Sequence, residues 1–312
     1  MSLFVMGLGF TLAAPLLCRE RYATNGSHWI YSVGCSMGVL GPYFLACTFL
    51  DTTSILLCST LLGFPVWCME RWRIAARKPR LTSGVIAFAV ELMPFAFALL
   101  LIRALVVEPF VVPSSSMRPT LAVGNVVIVD KFTYGIHVPF VDAAVSDGRT
   151  PARGEVLVFR FPLDHTKPYI KRVIGIPGDR IAYRNGRLIV NGQEQSPTYF
   201  NTYSYVDEET GLTTEADEQS DSIGQIYFHS LKDAVNKEIG RGADFPPING
   251  CSRDDQGISC VVPPDAYFVL GDNRANSLDS RYWGFVPSHL IIGRAVYSLH
   301  IANWRSAVTK LY

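Results

Sequence analysis

Three serines between two prolines are the first residues whose types and spacing could do chemistry. Ser114, Ser115 and Ser116 follow Pro113, and Pro119 comes three residues later. Pro113 disfavours helical backbone at the residue before it, so Val112 is predicted to be extended. A serine hydroxyl is a good nucleophile only beside a general base. Without such a base, the segment is typical of a surface linker.

Lys171 could supply the base. Strict strand alternation predicts that its side chain shares a largely apolar face with Tyr169, Val173 and Gly175. Burial disfavours the charged form of a lysine and lowers its pKa. A neutral amine can then take the proton of a serine hydroxyl. The alternative is an ordinary lysine at a strand edge, with its ammonium group in solvent.

Residues 271–287 form a third segment of interest, dense in polar side chains after the apolar run Tyr267–Leu270. Its small hydroxyl and amide groups could orient a catalytic amine, and Asp279 could pair with Arg172 or Arg281. Taken alone, the segment is equally typical of a turn-rich surface loop. The presence of all three segments in one chain favours the chemical interpretation.

Short strands must position these residues. Turn signals such as Asn-Gly and Pro-Gly-Asp separate runs rich in Val and Ile, which predict strands at 123–132, 154–161, 169–176 and 181–190. A second strand-rich block covers residues 260–299. We therefore expect one packed β domain, built from residues 109–195 and 260–312.

Residues 196–259 are predicted to be a polar subdomain inserted into this β domain. The run 207–221 contains seven acidic residues and almost no apolar ones. These acids lack the spacing of a calcium-binding loop, so a solvated insertion is the preferred interpretation. No motif in the insertion indicates a function.

The first third of the chain is far more apolar than the rest. Residues 1–108 hold 13 charged side chains, whereas residues 109–312 hold 42. A helix needs about 20 apolar residues to cross a membrane, with about 17 as a lower limit. Candidate transmembrane helices are 3–18, 29–50, 53–69 and 85–107. The first stretch is short, and we interpret it as an uncleaved anchor rather than a cleaved signal sequence.

Positive charge predicts the orientation of this membrane anchor, residues 1–108. The loop 70–84 is rich in arginine and lysine, so it is expected on the cytoplasmic side. The last span then delivers everything after Glu108 to the opposite side. The chain has a net charge of only +1, so it lacks the strongly basic character of a nucleic-acid-binding protein. No nucleic-acid partner is predicted.

Cysteine and histidine placement points away from a metal site. Cys251 and Cys260 are the only cysteines in the exported part, and their spacing is compatible with a disulfide in an oxidising compartment. A metal site there would need more ligands nearby, and none is evident. The six histidines show no ligand spacing, so neither a metal nor another cofactor is predicted.

Four ordered segments resemble the type I signal peptidases, the leader peptidases of the bacterial inner membrane. They are Pro-Ser-x-Ser-Met-x-Pro-Thr-Leu at 113–121, Arg-Gly-Glu-Val-Leu-Val-Phe-Arg-Phe-Pro at 153–162, Lys-Arg-Val-Ile-Gly-Ile-Pro-Gly-Asp at 171–179, and Gly-Asp-Asn-Arg…Asn-Ser…Asp-Ser-Arg-Tyr-Trp-Gly at 271–284. Ser115 stands where some members have glycine, and Ala275 replaces a common acidic residue. The resemblance implies transmembrane helices followed by a mainly antiparallel β catalytic domain on the periplasmic side.

The resemblance also implies a role for individual residues. Ser116 corresponds to the nucleophile and Lys171 to the general base of a serine endopeptidase. Ser114 and the main-chain N–H of Ser116 correspond to the oxyanion hole. Ser277 corresponds to the hydroxyl that orients Lys171. The expected structural support comes from Asp279, Arg281 and Arg172.

The expected substrate is a preprotein whose signal peptide ends in an Ala-x-Ala-like cleavage site, presented at the lipid surface. Its side chains are expected to contact Phe110, Val112, Pro113, Met117, Leu121 and Ile170. Two alternatives stay open. One is a specialised maturation peptidase with the same Ser/Lys pair, and the other is a non-catalytic membrane-tethered module that binds exported chains.

Overall fold

The computed structural model describes residues 8, 10–14, 28–46, 52–82, 84–135, 148–207, 211–224, 226–232, 248–300 and 308–311. Contacts between Cα atoms divide the chain into two compact units, residues 1–104 and 105–312. Most of the first predicted span, 3–18, and the segment with Arg19 and Arg21 lie outside the described residues.

The described part of the N-terminal unit is helical. Its longer helices are α1 (His28–Ala46), α2 (Thr52–Ala75), α3 (Gly84–Glu91) and α4 (Met93–Leu105). The predicted spans 29–50, 53–69 and 85–107 each overlap one or two of these helices. Among the described helices, no single one is both long and apolar enough to cross a bilayer, although α3 and α4 together meet that criterion.

The last predicted span is therefore not one straight helix. α3 and α4 meet at Leu92 with a bend of 43°. Pro94 has no N–H to donate to the carbonyl one turn earlier, and its ring crowds that carbonyl, which bends the helix at this turn. The chain leaves α4 at Leu105 and enters the first strand at Val107, two residues before the predicted boundary between anchor and β domain.

The C-terminal unit is built mainly from antiparallel strands. They are β1 (Val107–Val111), β2 (Val126–Asp130), β3 (Val156–Phe161), β4 (Asp164–Gly175), β5 (Arg180–Arg184), β6 (Arg187–Val190), β7 (Gln193–Glu194), β8 (Thr198–Val206), β9 (Thr213–Ile223), β10 (Ile226–Lys232), β11 (Cys251–Asp254), β12 (Gly257–Val261), β13 (Ala266–Leu270), β14 (Val286–Pro287), β15 (Ile291–Leu299) and β16 (Val308–Lys310). A short helix, α5 (Ser280–Trp283), lies between β13 and β14.

These strands form three sheets. The main sheet has the order β1-β2-β15-β3-β4-β13-β14, with β16 paired to β15. A five-stranded sheet has the order β11-β12-β5-β6-β7, and a three-stranded sheet has the order β10-β9-β8. Asn185 and Gly186 turn β5 into β6 with positive φ angles of 48° and 73°, as a two-residue hairpin turn requires.

The predicted insertion, residues 196–259, is divided between two of these sheets. β8, β9 and β10 form the three-stranded sheet, whereas β12 pairs with β5 and β11 pairs with β12. The acidic run 207–221 includes most of β9, in which Ala216 and Asp221 are buried and the other residues of the run are partly or fully exposed. Cys251 and Cys260 face each other in the β11–β12 register and are joined by a disulfide.

β4 carries the predicted base into the core. Its residues are buried without interruption from Ile170 to Gly175. Ile170, Val173 and Ile174 each belong to a different cluster of buried apolar side chains. Both faces of the strand are therefore covered here, and Lys171 and Arg172 lie within the apolar interior.

Candidate active site

The serine segment folds as a buried turn between β1 and β2. Ser114 is extended, with φ −137° and ψ 160°, and Ser115–Met117 form one turn of 3-10 helix. Ser115, Ser116 and Met117 are buried, whereas Ser114 is exposed. The turn that follows the extended Ser114 thus places Ser116 in the interior of the β unit.

Lys171 reaches Ser116 from β4. Its Nζ donates hydrogen bonds to Ser116 Oγ at 2.7 Å and to the carbonyl oxygen of Ile170 at 3.0 Å. Only 4% of Lys171 and 8% of Ser116 is exposed to solvent. The amine and the hydroxyl are therefore adjacent in a site that is largely shielded from water.

The surroundings of Lys171 make its neutral form more favourable than it would be in water. Burial lowers the pKa of Lys171 to about 8 because it disfavours the ammonium form. The carboxylates of Asp279 and Asp272 act in the opposite direction, and the Arg281 guanidinium adds to the fall. Burial outweighs the attraction of the two carboxylates.

Ser114 lies beside the same hydroxyl. Its Oγ is 3.2 Å from Ser116 Oγ, a distance at which either group can donate to the other. A donor placed here can reach an oxygen that develops negative charge next to Ser116. The three side chains of Ser114, Ser116 and Lys171 form one connected polar cluster.

A cleft of about 370 Å³ opens onto this cluster. Its walls come mainly from two segments, residues 112–117 and 168–171, together with Asn276 and Leu278. Four of the six predicted substrate-contacting residues line it: Val112, Pro113, Met117 and Ile170. Phe110 and Leu121 do not. Leu121 is fully buried in the cluster of apolar side chains beneath the cleft, and Phe110 packs against that cluster.

A larger cavity, of about 580 Å³, lies away from the Ser116–Lys171 pair. It is lined by Arg172, Thr120 and residues of β8–β10, and neither Ser116 nor Lys171 contributes to it. Neighbouring residues of a strand point to opposite faces, so Lys171 and Arg172 face different cavities. The smaller cleft is the one that holds the reactive groups.

Comparisons with known proteins identify the family of this chain. The family model described as "Signal peptidase, peptidase S26" matches residues 85–300. The chain belongs to this signal peptidase family. Its activity is that of the family, hydrolysis of the peptide bond that joins a signal peptide to its preprotein.

Curated relatives in the signal peptidase family are similar over most of their length. Signal peptidase I of Pseudomonas fluorescens is 36% identical over 68% of this chain and 71% of its own. Signal peptidase I of Pseudomonas aeruginosa gives the same three values. A solved signal peptidase I structure from Enterococcus faecalis is 25% identical, covers 47% of this chain and 98% of its own, and has a TM-score of 0.26.

Asp279 and Arg281 form a buried ion pair near the Ser116–Lys171 cluster. Arg281 Nε donates to Asp279 Oδ1 at 2.8 Å, and both residues are buried. Asp279 also accepts the backbone N–H of Gly271, and Arg281 donates to the carbonyl oxygens of Arg274 and Ser277. The pair therefore ties together both ends of the segment 271–281.

Of the two arginines considered from sequence as partners of Asp279, Arg281 forms the pair, whereas Arg172 pairs with Asp272. Its Nε and Nη2 donate to the two carboxylate oxygens of Asp272 at 2.8 and 2.6 Å, while Asp279 is held by Arg281. Thr120 Oγ1 also donates to Asp272, at 2.6 Å. The ion pair joins β4 to the segment after β13. Thr120, which follows the turn that contains Ser116, contacts both Asp272 and Arg172.

The expected contact between Ser277 and Lys171 is not formed. The Ser277 hydroxyl is buried and has no hydrogen-bond partner among the described residues. A Cβ added at Gly271 would lie 2.2 Å from this hydroxyl and 2.5 Å from the carbonyl oxygen of Ser116. Ser277 thus packs tightly beside the turn that contains Ser116, and the space between them requires glycine at position 271. Lys171 donates its hydrogen bonds to other groups.

Two asparagines that hydrogen-bond to the turn containing Ser116 were not identified from the sequence. Asn273 N–H donates to the carbonyl oxygen of Ser116 at 3.1 Å, and Asn276 Nδ2 donates to Ser115 Oγ at 2.9 Å. The side chain of Asn273 also donates to Tyr205 of β8, and the side chain of Asn276 donates to Asp207 at the end of β8. The two asparagines were visible in the polar segment, but nothing in the sequence linked them to the insertion.

Proposed function

We propose that Ser116 is the nucleophile and Lys171 the general base of this signal peptidase. The observation that carries the proposal is the 2.7 Å contact between Lys171 Nζ and Ser116 Oγ inside a cleft. The neutral amine takes the Ser116 proton as Oγ attacks the carbonyl carbon at the end of the signal peptide. The resulting ammonium then protonates the amine of the leaving mature chain, which gives the acyl-enzyme.

Deacylation repeats the same proton transfers with water. Lys171, again neutral, takes a proton from the attacking water and returns it to Ser116 Oγ as the signal peptide leaves. In both halves of the reaction, the Ser114 hydroxyl and the N–H of Ser116 stabilise the oxyanion. The 3.2 Å separation between Ser114 Oγ and Ser116 Oγ supports this assignment.

The substrate is proposed to bind as an extended strand between the two segments that wall the cleft. Residues 168–171 of β4 pair with β3 on one side, whereas β13 begins to pair with β4 only at Arg172. Main-chain groups in this stretch are thus available to an added strand, the recognition mode known as β-augmentation. Val112, Met117 and Ile170 would leave room for small side chains only, which accounts for an Ala-x-Ala-like cleavage site.

Residues 1–108 are proposed to anchor the enzyme in the bacterial inner membrane. The apolar composition and the basic loop 70–84 support a multi-pass anchor with the β domain, parts 109–195 and 260–312, on the periplasmic side. The connection from α4 to β1 is the single residue Val106, so the cleft follows closely after the anchor in the chain. A preprotein held in lipid by its signal peptide is proposed to present its cleavage site just outside the bilayer.

Cleavage of a preprotein by purified wild type, Ser116→Ala and Lys171→Ala tests the proposal. Both variants are expected to lose at least about 10³-fold in kcat while retaining the fold, because each removes one half of the reacting pair. Undiminished cleavage by either variant would refute the pair. A wild-type protein that binds preproteins without cutting them would favour the tethering module, and cleavage restricted to one preprotein would favour a specialised maturation peptidase.

A further inference from the structure

The three-stranded sheet β8–β10 contacts the segment that supports the nucleophile turn. Leu231 of β10 exchanges backbone hydrogen bonds with residues 272 and 274, and Asp221 of β9 forms a buried ion pair with Arg274. Tyr205 of β8 accepts a hydrogen bond from Asn273 at 2.9 Å. Every strand of this sheet therefore reaches the segment 272–274.

A second link runs from Asp207, at the end of β8, through Asn276 to the serine turn. Asn276 Nδ2 donates to Asp207 Oδ2 at 2.8 Å and to Ser115 Oγ at 2.9 Å. Ser115 is the residue immediately before the nucleophile and is itself buried. One amide group thus bridges the sheet and the turn.

The chemistry of these groups determines the orientation of the bridge. An ionised carboxylate only accepts hydrogen bonds, so the side chain of Asn276 must present its NH₂ group to Asp207. The second proton of that NH₂ group then points to Ser115 Oγ, which must act as the acceptor. The hydrogen bond to the charged carboxylate is the stronger of the two, and it holds the amide in place for the weaker one.

We infer that Asp207 is a positioning residue, which orients Asn276 so that the Ser115 hydroxyl and the following Ser116 keep their places in the turn. The inference rests on the proposed role of Ser116. It gives the sheet β8–β10 a structural role, in which this sheet supports Ser116 from outside the main sheet. A glycine at position 115 has no hydroxyl and could not take part in this bridge.

The test uses the full-length protein and steady-state cleavage of a preprotein. Asp207→Ala and Ser115→Ala are each expected to lower kcat about tenfold with KM within about twofold, because a displaced nucleophile slows the chemical step more than binding. Asp207→Asn keeps an acceptor oxygen and is expected to restore kcat to within about threefold of wild type. Glu215→Ala is the matched control, since it removes an exposed acid from the same sheet and should leave kcat unchanged.

The double variant separates positioning from a general loss of stability. If Asp207 acts through Ser115, Asp207→Ala should cost little more in the Ser115→Ala background, and the pair should lose about tenfold rather than about a hundredfold. The acidic limb of kcat/KM should not move in any of these variants, because Asp207 is not among the groups that shift the pKa of Lys171.

Three results would overturn the inference: full activity of Ser115→Ala, a hundredfold loss in the double variant, or an equal loss in Glu215→Ala. Ser115→Ala removes only a hydroxyl, so it keeps the inference testable even if Asp207→Ala does not fold. Ser116→Ala, measured under the same conditions, distinguishes a failure of the proposed function from a failure of the role of Asp207. An active Ser116→Ala defeats the proposed function, whereas an inactive Ser116→Ala with a fully active Ser115→Ala defeats only the role of Asp207.

Discussion

At the scale of single residues, the proposed mechanism depends on one amine, that of Lys171, which gives up its charge more readily than a lysine in water. The Lys171 ammonium has lost its water shell, and its remaining partners are a hydroxyl and a carbonyl oxygen. Asp279 and Asp272 act to keep the amine charged, but each is already engaged by an arginine, Arg281 and Arg172 respectively. These arginines limit the attraction that the two carboxylates exert on Lys171.

The pH dependence of cleavage follows from this pKa. Below a pKa of about 8, Lys171 is protonated and cannot accept the Ser116 proton. We expect kcat/KM to fall about tenfold for each pH unit below this value and to level off above it. A pH profile of preprotein cleavage between pH 6 and 10 measures the limb. An acidic limb near 10.5, the ordinary lysine value, would mean that Lys171 is solvated during catalysis.

At the scale of secondary-structure elements, buried ion pairs join strands that are far apart in the chain. Arg172 of β4 and Asp272, two residues after β13, form a two-point contact, and both side chains are at most 2% exposed. The Arg172 guanidinium also lies 4.2 Å from the centre of the Phe228 ring of β10. The main sheet and the three-stranded sheet are thereby joined behind Lys171.

Removing one partner of this pair should cost much more than removing a surface partner. Arg172→Met leaves the Asp272 carboxylate buried without its counter-charge, so the free energy of unfolding is expected to fall by about 3–5 kcal/mol. Arg187→Met is the control, because the Arg187–Glu194 pair is 67% and 44% exposed and is expected to contribute less than about 1 kcal/mol. Urea unfolding measures both values. Equal losses would show that Arg172 is not a buried support.

At the scale of the whole molecule, the chain combines a helical unit with a β unit that has its own core. The three main clusters of buried side chains all come from residues after Val107. Ser116, Lys171 and every residue that supports them belong to the same unit, 105–312. The described contacts of the groups proposed to react therefore lie within this one unit.

A fragment of residues 105–312 should accordingly fold and hydrolyse a short peptide substrate. Because its core and site are internal to the unit, kcat is expected to stay within about threefold of the full chain. Binding to lipid vesicles should fall sharply, because the proposed anchor is missing. Flotation with vesicles and peptide hydrolysis measure the two properties. An unfolded fragment would show that the helices complete the β core.

The sequence alone determined those features that depend on a few neighbouring residues. The Asn185-Gly186 turn and the strands rich in Val and Ile follow from local backbone preferences. Alternation predicted that Lys171 would face apolar side chains, because the pleat of a strand repeats every two residues. The four ordered motifs were sufficient to indicate the family.

The tertiary structure decided which distant atoms meet. Ser116 and Lys171 are 55 residues apart, and Arg172 and Asp272 are 100 apart. The order and register of the strands set these contacts, and local preferences do not encode them. For this reason Arg172 pairs with Asp272 instead of Asp279, and Ser277 packs against Gly271 instead of binding Lys171. The bridge from Asp207 to Ser115 depends in the same way on how two sheets pack, so only the folded molecule could reveal it.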